Sequence, residues 1–108
     1  MADKENLKLK NARTNMKIAV ALSDLSASEI SQKAGLSINV LGKYLRDETM
    51  ISFGNMQAIC DVMGIPIALI TSSQQISPAR IRLLKIIDRM GDHELEAFLE
   101  GGRSAGSI

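Results

Sequence analysis

The apolar positions of this chain recur with the period of an α-helix. In residues 78–90, Ile81, Leu84, Ile87 and Met90 follow one another at three-residue spacing. Such spacing places the side chains on one face of a helix. Aromatic residues, which favour strands, make up only 3% of the chain. The pattern predicts six helices and one short apolar segment, and therefore an all-α fold.

The first predicted helix covers about residues 12–22 and is apolar almost all the way round. Its centre reads MKIAVAL, without the polar face of an ordinary surface helix. A helix of this kind needs a covering element on two sides. Residues 1–17 carry five cations against two acids. We therefore predict a basic flexible arm over residues 1–11, although a solvated terminus without a function gives the same pattern.

Capping residues mark the ends of the second and third predicted helices. Ser26 and Glu29 form an S-x-x-E capping box at the start of the second helix. Gly35 ends it, because glycine suits the left-handed conformation at a helix C-terminus. Ser37 is the predicted cap of the third helix, which covers residues 38–46.

Similar signals define the rest of the chain. Ser52 and Gly64 bound a fourth helix, and the apolar segment IPIALI that follows predicts one further helical turn. Ser77 and Pro78 start a fifth helix, since proline fits the first helical position. Asp92 is the predicted cap of a sixth.

Length and composition indicate one domain of 108 residues with an aliphatic, methionine-rich core. The single cysteine, Cys60, cannot form an internal disulfide, which is typical of a reducing compartment. No apolar run approaches the roughly 20 residues that span a bilayer, and residues 1–11 lack the apolar core of a signal peptide. We therefore expect a cytoplasmic protein without membrane association. The net charge of +1 neither supports nor excludes nucleic acid.

Catalytic chemistry is not indicated by the sequence. Cys60 and His93 are the only cysteine and histidine, and Cys60 lies in the apolar stripe of the fourth predicted helix. A small buried hydrophobe is the usual role of cysteine at such a position. The segment HELEA is similar to the start of a zinc-protease motif, but Ala97 stands where the second histidine is needed. We expect no enzyme activity, no metal and no cofactor.

The second and third predicted helices form a helix-turn-helix pattern, because only a short turn at Gly35 separates them. An ordinary helical hairpin inside a small bundle fits the same spacing, and this alternative stays open. The outward residues of the third helix are Ser37, Ile38, Asn39, Gly42, Lys43 and Arg46. They offer an amide and two cations, which are groups that read base edges in DNA. Gly42 indicates either a close approach to a bound molecule or close packing on the second helix.

This region resembles the helix-turn-helix domain of the phage repressor and Cro-like (XRE) family. The resemblance covers about residues 12–70, and its landmarks are the segments LSASEI, AGLS and GI, which begin at Leu25, Ala34 and Gly64. It implies a five-helix lambda-repressor-like domain whose third helix enters the major groove of double-stranded DNA. Residues 79–100 are similar to C-terminal helical extensions that often support dimers in that family.

The resemblance also implies a set of contact residues. It assigns contacts with the bases to Ile38, Asn39 and Lys43. It assigns contacts with the DNA backbone to Arg13, Lys17, Ser26, Ser37 and Arg46. The chain departs from the family's pattern at Ala27, where glutamine is common, and at Ser31, where alanine is usual. The proline that commonly follows the third helix is also missing.

The sequence thus predicts a transcriptional regulator, a repressor that blocks polymerase as a homodimer. The predicted divisions are the arm (1–11), the DNA-binding domain (12–73), the dimerisation helices (74–100) and a mobile tail (101–108). The alternative is an interaction protein, either an antitoxin that binds DNA and a toxin partner or an adaptor that uses the fold for protein contact. The low net charge and the apolar first helix keep this alternative open.

Overall fold

The computed structural model describes the backbone of residues 2–106 and the side chains of residues 7–101. These residues form seven helices and no β-strand. The helices are α1 (Ala2–Leu22), α2 (Ala27–Lys33), α3 (Val40–Leu45), α4 (Phe53–Met63), α5 (Ile67–Ile70), α6 (Pro78–Arg89) and α7 (Asp92–Gly106). The predicted all-α fold is confirmed: a five-helix domain, α1 to α5, is followed by a helical extension, α6 and α7.

Both ends of the chain are more helical than predicted. The first helix begins at Ala2 rather than near residue 12, so residues 2–11 of the predicted arm form its first turns. Lysine, leucine and glutamate, which are frequent there, are strong helix formers, and an existing helix extends easily. For the same reason α7 continues through residues 101–106 of the predicted tail. Met1 and residues 107–108 lie outside the described residues.

Serine side chains cap three of the helices as predicted. The Ser26 hydroxyl accepts the N–H of Glu29, and the Glu29 carboxylate accepts the N–H of Ser26, both at 3.1 Å. The hydrogen bond from the Ser26 backbone is the main reason why the pKa of Glu29 is lowered. Two further caps join Ser52 to the N–H of Asn55 and Ser77 to the N–H of Arg80. Gly64 ends α4 in the left-handed conformation, with φ of 67°.

The core is aliphatic and lies where α1, α2, α4 and α5 meet under α3. Its fully buried large side chains are Met16, Ile30, Leu41, Ile59, Cys60 and Ile70. The α1 residues that face this core are Ala12, Met16 and Ala19, which follow one another at helical spacing. Ile76 and Ile81, which follow the five-helix domain, join the same core. The start of α6 is therefore anchored to the domain.

A buried asparagine holds the segment between α5 and α6 against α1. The Asn15 side chain is only 2% exposed. Its amide nitrogen lies 3.0 Å from the carbonyl oxygen of Ile70, 3.3 Å from that of Ser72 and 3.2 Å from that of Gln74. Its amide oxygen accepts the N–H of Ile76 at 3.2 Å. One side chain thus satisfies backbone groups that a short irregular segment cannot satisfy for itself.

The C-terminal extension leaves large apolar side chains uncovered. Leu83 and Ile86 on α6, and Phe98 and Leu99 on α7, are between 48% and 60% exposed. We call these four residues the C-terminal apolar surface. No described side chain of α7 is fully buried. About half of each of these side chains stays exposed in the described chain, although apolar side chains of this size favour burial.

Candidate nucleic-acid interface

The turn between α2 and α3 is set by a glycine in the left-handed conformation. Gly35 has φ of 76° and follows Ala34, the C-cap of α2. The N–H of Leu36 donates to the carbonyl of Ser31 at 2.9 Å, and the N–H of Gly35 donates to that of Gln32 at 3.0 Å. This pair of bonds is a Schellman motif, which ends a helix and redirects the chain. The predicted role of Gly35 is confirmed.

α3 is shorter than predicted, and its start is capped from another helix. It begins at Val40 rather than at residue 38, and Asn39 makes no side-chain cap. The predicted Ser37 cap is wrong, since Ser37 contributes its backbone carbonyl to the N–H of Val40. The N–H of Leu41 instead donates to the buried Ser31 hydroxyl of α2 at 3.1 Å. The serine that stands where alanine is usual therefore joins the two helices.

The two sides of α3 differ as the sequence predicts. Leu41 and Tyr44 are buried against the core. On the other side Ile38, Asn39 and Lys43 are exposed, with Ile38 and Asn39 in the turn that leads into the helix. The N–H of Lys43 donates to the carbonyl of Asn39 at 3.0 Å, so these two residues are one helical turn apart. The structure thus brings all three residues assigned to base contacts onto one exposed face.

Gly42 allows an arginine to fold back along this face. A β-carbon on Gly42 would lie 3.2 Å from the Nη1 atom of Arg46, and no atom of α2 comes within 4 Å of that position. Close packing against α2 therefore does not explain the glycine. The Nε atom of Arg46 also donates to the carboxylate of Glu48. Arg46 is exposed, and its charge is already paired with a carboxylate two residues away.

The cations assigned to the DNA backbone lie around one cavity beside the end of α3. We call it the basic pocket, and its volume is about 270 Å³. Its lining includes the cationic residues Lys10, Arg13, Lys17 and Arg46, and also Asp47. Lys10 and Lys17 are exposed. Because α1 extends further toward the N-terminus than predicted, Lys10 has a fixed place beside Arg13 and Lys17 on one helix.

Arg13 is more buried than an arginine side chain that is free to bind a DNA phosphate. Its side chain is 14% exposed, and its Nη2 atom lies 2.9 Å from the Asp47 carboxylate. The guanidinium stacks over the Tyr44 ring, 5.6 Å from its centre. Its Nε atom is buried and has no hydrogen-bond partner among the described atoms. Burial raises the pKa of Tyr44, against the opposing effect of the Arg13 charge. Arg13 thus also joins α1 to the end of α3.

Asp47 occupies an unusual backbone position. It is the only non-glycine residue with positive φ in the described chain, at 62°. The N–H of Asp47 donates to the carbonyl of Tyr44, and the N–H of Glu48 donates to that of Lys43, so the chain turns sharply after α3. Sequence reasoning did not single out this residue. A carboxylate where a helix-ending glycine is expected is the signal that could have identified it.

The remaining candidate residues are separate from this region or serve other roles. Ser26 is occupied by its capping box, and Ser37 is exposed in the turn before α3. Cys60 is completely buried in α4, and burial raises the pKa of its thiol to about 11, so the thiol stays protonated at neutral pH. His93 is exposed on α7. Within residues 7–101 no three histidine, cysteine or acidic side chains converge to hold a metal ion.

Comparisons with known proteins agree with this geometry. A family model described as helix-turn-helix matches residues 16–70, which cover α1 from Met16, the two helices around Gly35, and α4 and α5. A search of curated proteins and a search of solved structures each gave no match.

Proposed function

The chain belongs to the XRE-type helix-turn-helix family of DNA-binding transcription regulators, and we propose that it is a repressor that reads the major groove as a homodimer. The family is regulatory and not typically enzymatic. The observation that carries the proposal is the exposed face of α3, where Asn39 and Lys43 lie one turn apart. In this proposal the helix enters the groove, and the bound dimer blocks polymerase.

The chemistry of the exposed face supports reading of base edges. An asparagine amide can bond both N6 and N7 of adenine, and a lysine ammonium can bond O6 and N7 of guanine. Ile38 is exposed beside them and can contact a thymine methyl group. The burial of Leu41 and Tyr44 supports the proposal in a second way, because it fixes the rotation of α3 about its axis. A single docking position then presents all three residues to the bases.

The C-terminal apolar surface supports the homodimer. Burial of a large apolar side chain typically contributes about 1.5–3 kcal/mol, and four such side chains are uncovered on α6 and α7. The charges of the two helices are complementary. α6 carries Arg80, Arg82, Lys85 and Arg89 against Asp88, whereas residues 92–100 of α7 carry Asp92, Glu94, Glu96 and Glu100 with no lysine or arginine. We propose that α6 of one copy packs against α7 of a second.

The same surface favours one alternative function. An antitoxin or adaptor would use exposed apolar side chains such as Phe98 and Leu99 to bind a different protein. Purification with and without the product of a neighbouring gene distinguishes the repressor from this alternative. An antitoxin or adaptor would copurify with that product, whereas a homodimeric repressor would not. No helix among the described residues is long and apolar enough to cross a membrane, and we propose that the protein acts on DNA in the cytoplasm.

We expect Asn39→Ala and Lys43→Ala each to weaken binding to the preferred site by roughly 1–3 kcal/mol. Both residues are exposed, so the melting temperature should hardly change. Asn39 carries no charge, so its loss should leave binding to scrambled DNA nearly unchanged. The preferred site comes from selection on a random DNA pool, and competition with scrambled DNA measures the preference. The exposed amide Gln75, outside α3, provides the control Gln75→Ala. If both α3 variants keep the full preference, the proposed reading by α3 is wrong.

Lys17→Ala should weaken binding to every DNA sequence alike. Lys17 is exposed at the basic pocket, where a DNA phosphate can approach it. Loss of one phosphate contact lowers the slope of log affinity against log salt by about one per subunit. Titrations at several salt concentrations measure this slope. Lys33→Ala removes an exposed cation at the end of α2, outside the basic pocket, and should leave the slope unchanged. If the Lys17 variant has the wild-type slope, Lys17 faces solvent and does not contact a DNA phosphate.

A further inference from the structure

Each arginine of the basic pocket is held by a carboxylate from the same short segment. Arg13 pairs with Asp47, and Arg46 pairs with Glu48, directly after α3. Both arginines are candidates for contact with DNA phosphates. A phosphate that binds either guanidinium must therefore compete with a carboxylate that is already in place.

The backbone conformation of Asp47 does not by itself require a carboxylate. Its φ of 62° lies in the left-handed region, where a β-carbon is strained and glycine is not. Asparagine, with the same shape and no charge, also tolerates this conformation better than most residues. The Asp47 side chain is 73% exposed, so burial adds little stabilisation to its ion pair. The exposed charge of Asp47 beside the basic pocket therefore suggests a role in function.

The carboxylates of Asp47 and Glu48 lie beside the basic pocket, which suggests a role in controlling its contacts with DNA phosphates. Lys10 and Lys17 lie in the same pocket and attract phosphates. The carboxylates of Asp47 and Glu48 oppose this attraction and occupy the two arginines. Non-specific DNA binding depends almost wholly on contacts between cations and phosphates. Specific binding gains contacts with the bases as well, and these help to offset the loss of the two ion pairs.

We propose that Asp47 and Glu48 compete with DNA phosphates for Arg13 and Arg46, and that this competition limits binding to non-specific DNA. The inference rests on the proposed function and adds two acidic residues that lower the affinity for the DNA backbone. The two pairs stay closed on scrambled DNA and open when α3 is fully docked on its preferred site. The carboxylates therefore lower the affinity for DNA of any sequence, and they keep the protein from being held on scrambled DNA through these two arginines.

The test uses the full chain with Asp47→Asn, Glu48→Gln and the double variant. In the double variant we expect affinity for scrambled DNA to rise by roughly threefold to tenfold at low salt. The salt slope should steepen by about two per subunit as two cations become available. Affinity for the preferred site should rise by at least as much, because the wild-type protein must open both pairs there and the variant has none to open. Arg13→Gln added to Asp47→Asn should remove that variant's gain, which shows that the two residues act together.

Asp61→Asn is the matched control, because Asp61 is an exposed aspartate on α4 that faces Gln57 rather than the basic pocket. It changes the net charge equally and should leave affinity for scrambled DNA nearly constant. The inference is overturned if Asp47→Asn and Glu48→Gln do not strengthen non-specific binding beyond this control. It is also overturned if these variants bind every DNA sequence more weakly and also have a lower melting temperature. That result would mean that the ion pairs serve only to position α3. A wild-type protein without sequence preference would contradict the proposed function, while the competition would still be tested on scrambled DNA.

Discussion

Leu83→Glu on α6 combined with Leu99→Glu on α7 is expected to convert the proposed homodimer to a monomer. Both side chains belong to the C-terminal apolar surface and are about half exposed in the single chain. Each substitution places a charged carboxylate where an apolar side chain would be buried, which is strongly unfavourable. On α6 the new carboxylate would also face the acidic α7 of the other copy. The fold of the single chain should survive, because neither residue belongs to its core.

Loss of the dimer should have a large effect on DNA binding. A dimer engages two half-sites, and binding of the second half-site multiplies the apparent affinity by roughly 10²–10⁴. We expect the double variant to lose about this factor on a palindromic site and much less on a half-site. Sedimentation measures the oligomeric state, and titration of both DNA forms measures the affinity.

Leu7→Glu is the matched variant, because Leu7 is an exposed leucine on α1, far along the chain from the extension. It should leave the dimer intact. If Leu7→Glu dissociates the dimer and the double variant does not, the interface lies on α1 instead. A chain that ends at Ser73 is a less clean test, since it also removes Ile76 and Ile81 from the core.

Asn15→Ala is expected to lower the free energy of unfolding by about 2–4 kcal/mol. The substitution leaves the N–H of Ile76 and the carbonyl of Ile70 without their partner in a buried region. Each unsatisfied buried group typically costs about 1–3 kcal/mol. For a domain of this size, each kcal/mol lowers the melting temperature by about 4–8 °C. Urea and thermal unfolding measure both quantities.

Asn11→Ala is the control for this prediction. Asn11 lies one turn earlier on α1 and is half-buried. Its replacement should change stability by no more than about 0.5 kcal/mol, as is usual away from special features. Equal stabilities for the two variants would contradict the role that we assign to Asn15. Because the Asn15 bonds hold residues 70–76, its loss should also loosen the attachment of α6 to the domain.

Much of the fold could be predicted from the sequence because its signals are local. The capping box of Ser26 and Glu29, the cap by Ser52 and the stop at Gly64 each depend on residues within a few positions. The turn at Gly35 is local in the same sense, since its hydrogen bonds span only a few residues. The exposed positions of Asn39 and Lys43 follow from the same spacing. Their contacts with bases stay a prediction.

The start of α3 and the pairing of the arginines depended on the tertiary structure. Residues 38–46 predict a helix that begins after a Ser37 cap, but the Ser31 hydroxyl on α2 caps the N–H of Leu41 from outside. The charge of Arg13 predicts a free phosphate contact, but the fold places Asp47 beside it.

The sequence by itself determined the helices, their order and most of their ends, because these depend on hydrogen bonds between near neighbours along the chain. Only the tertiary structure decided how Asn15 meets residues 70–76 and how Arg13 meets Asp47. The partners in these contacts are far apart in sequence, and no local propensity encodes which polar group will lie opposite another. Their positions are set when the apolar faces of the helices pack together, so they become visible only in the folded chain.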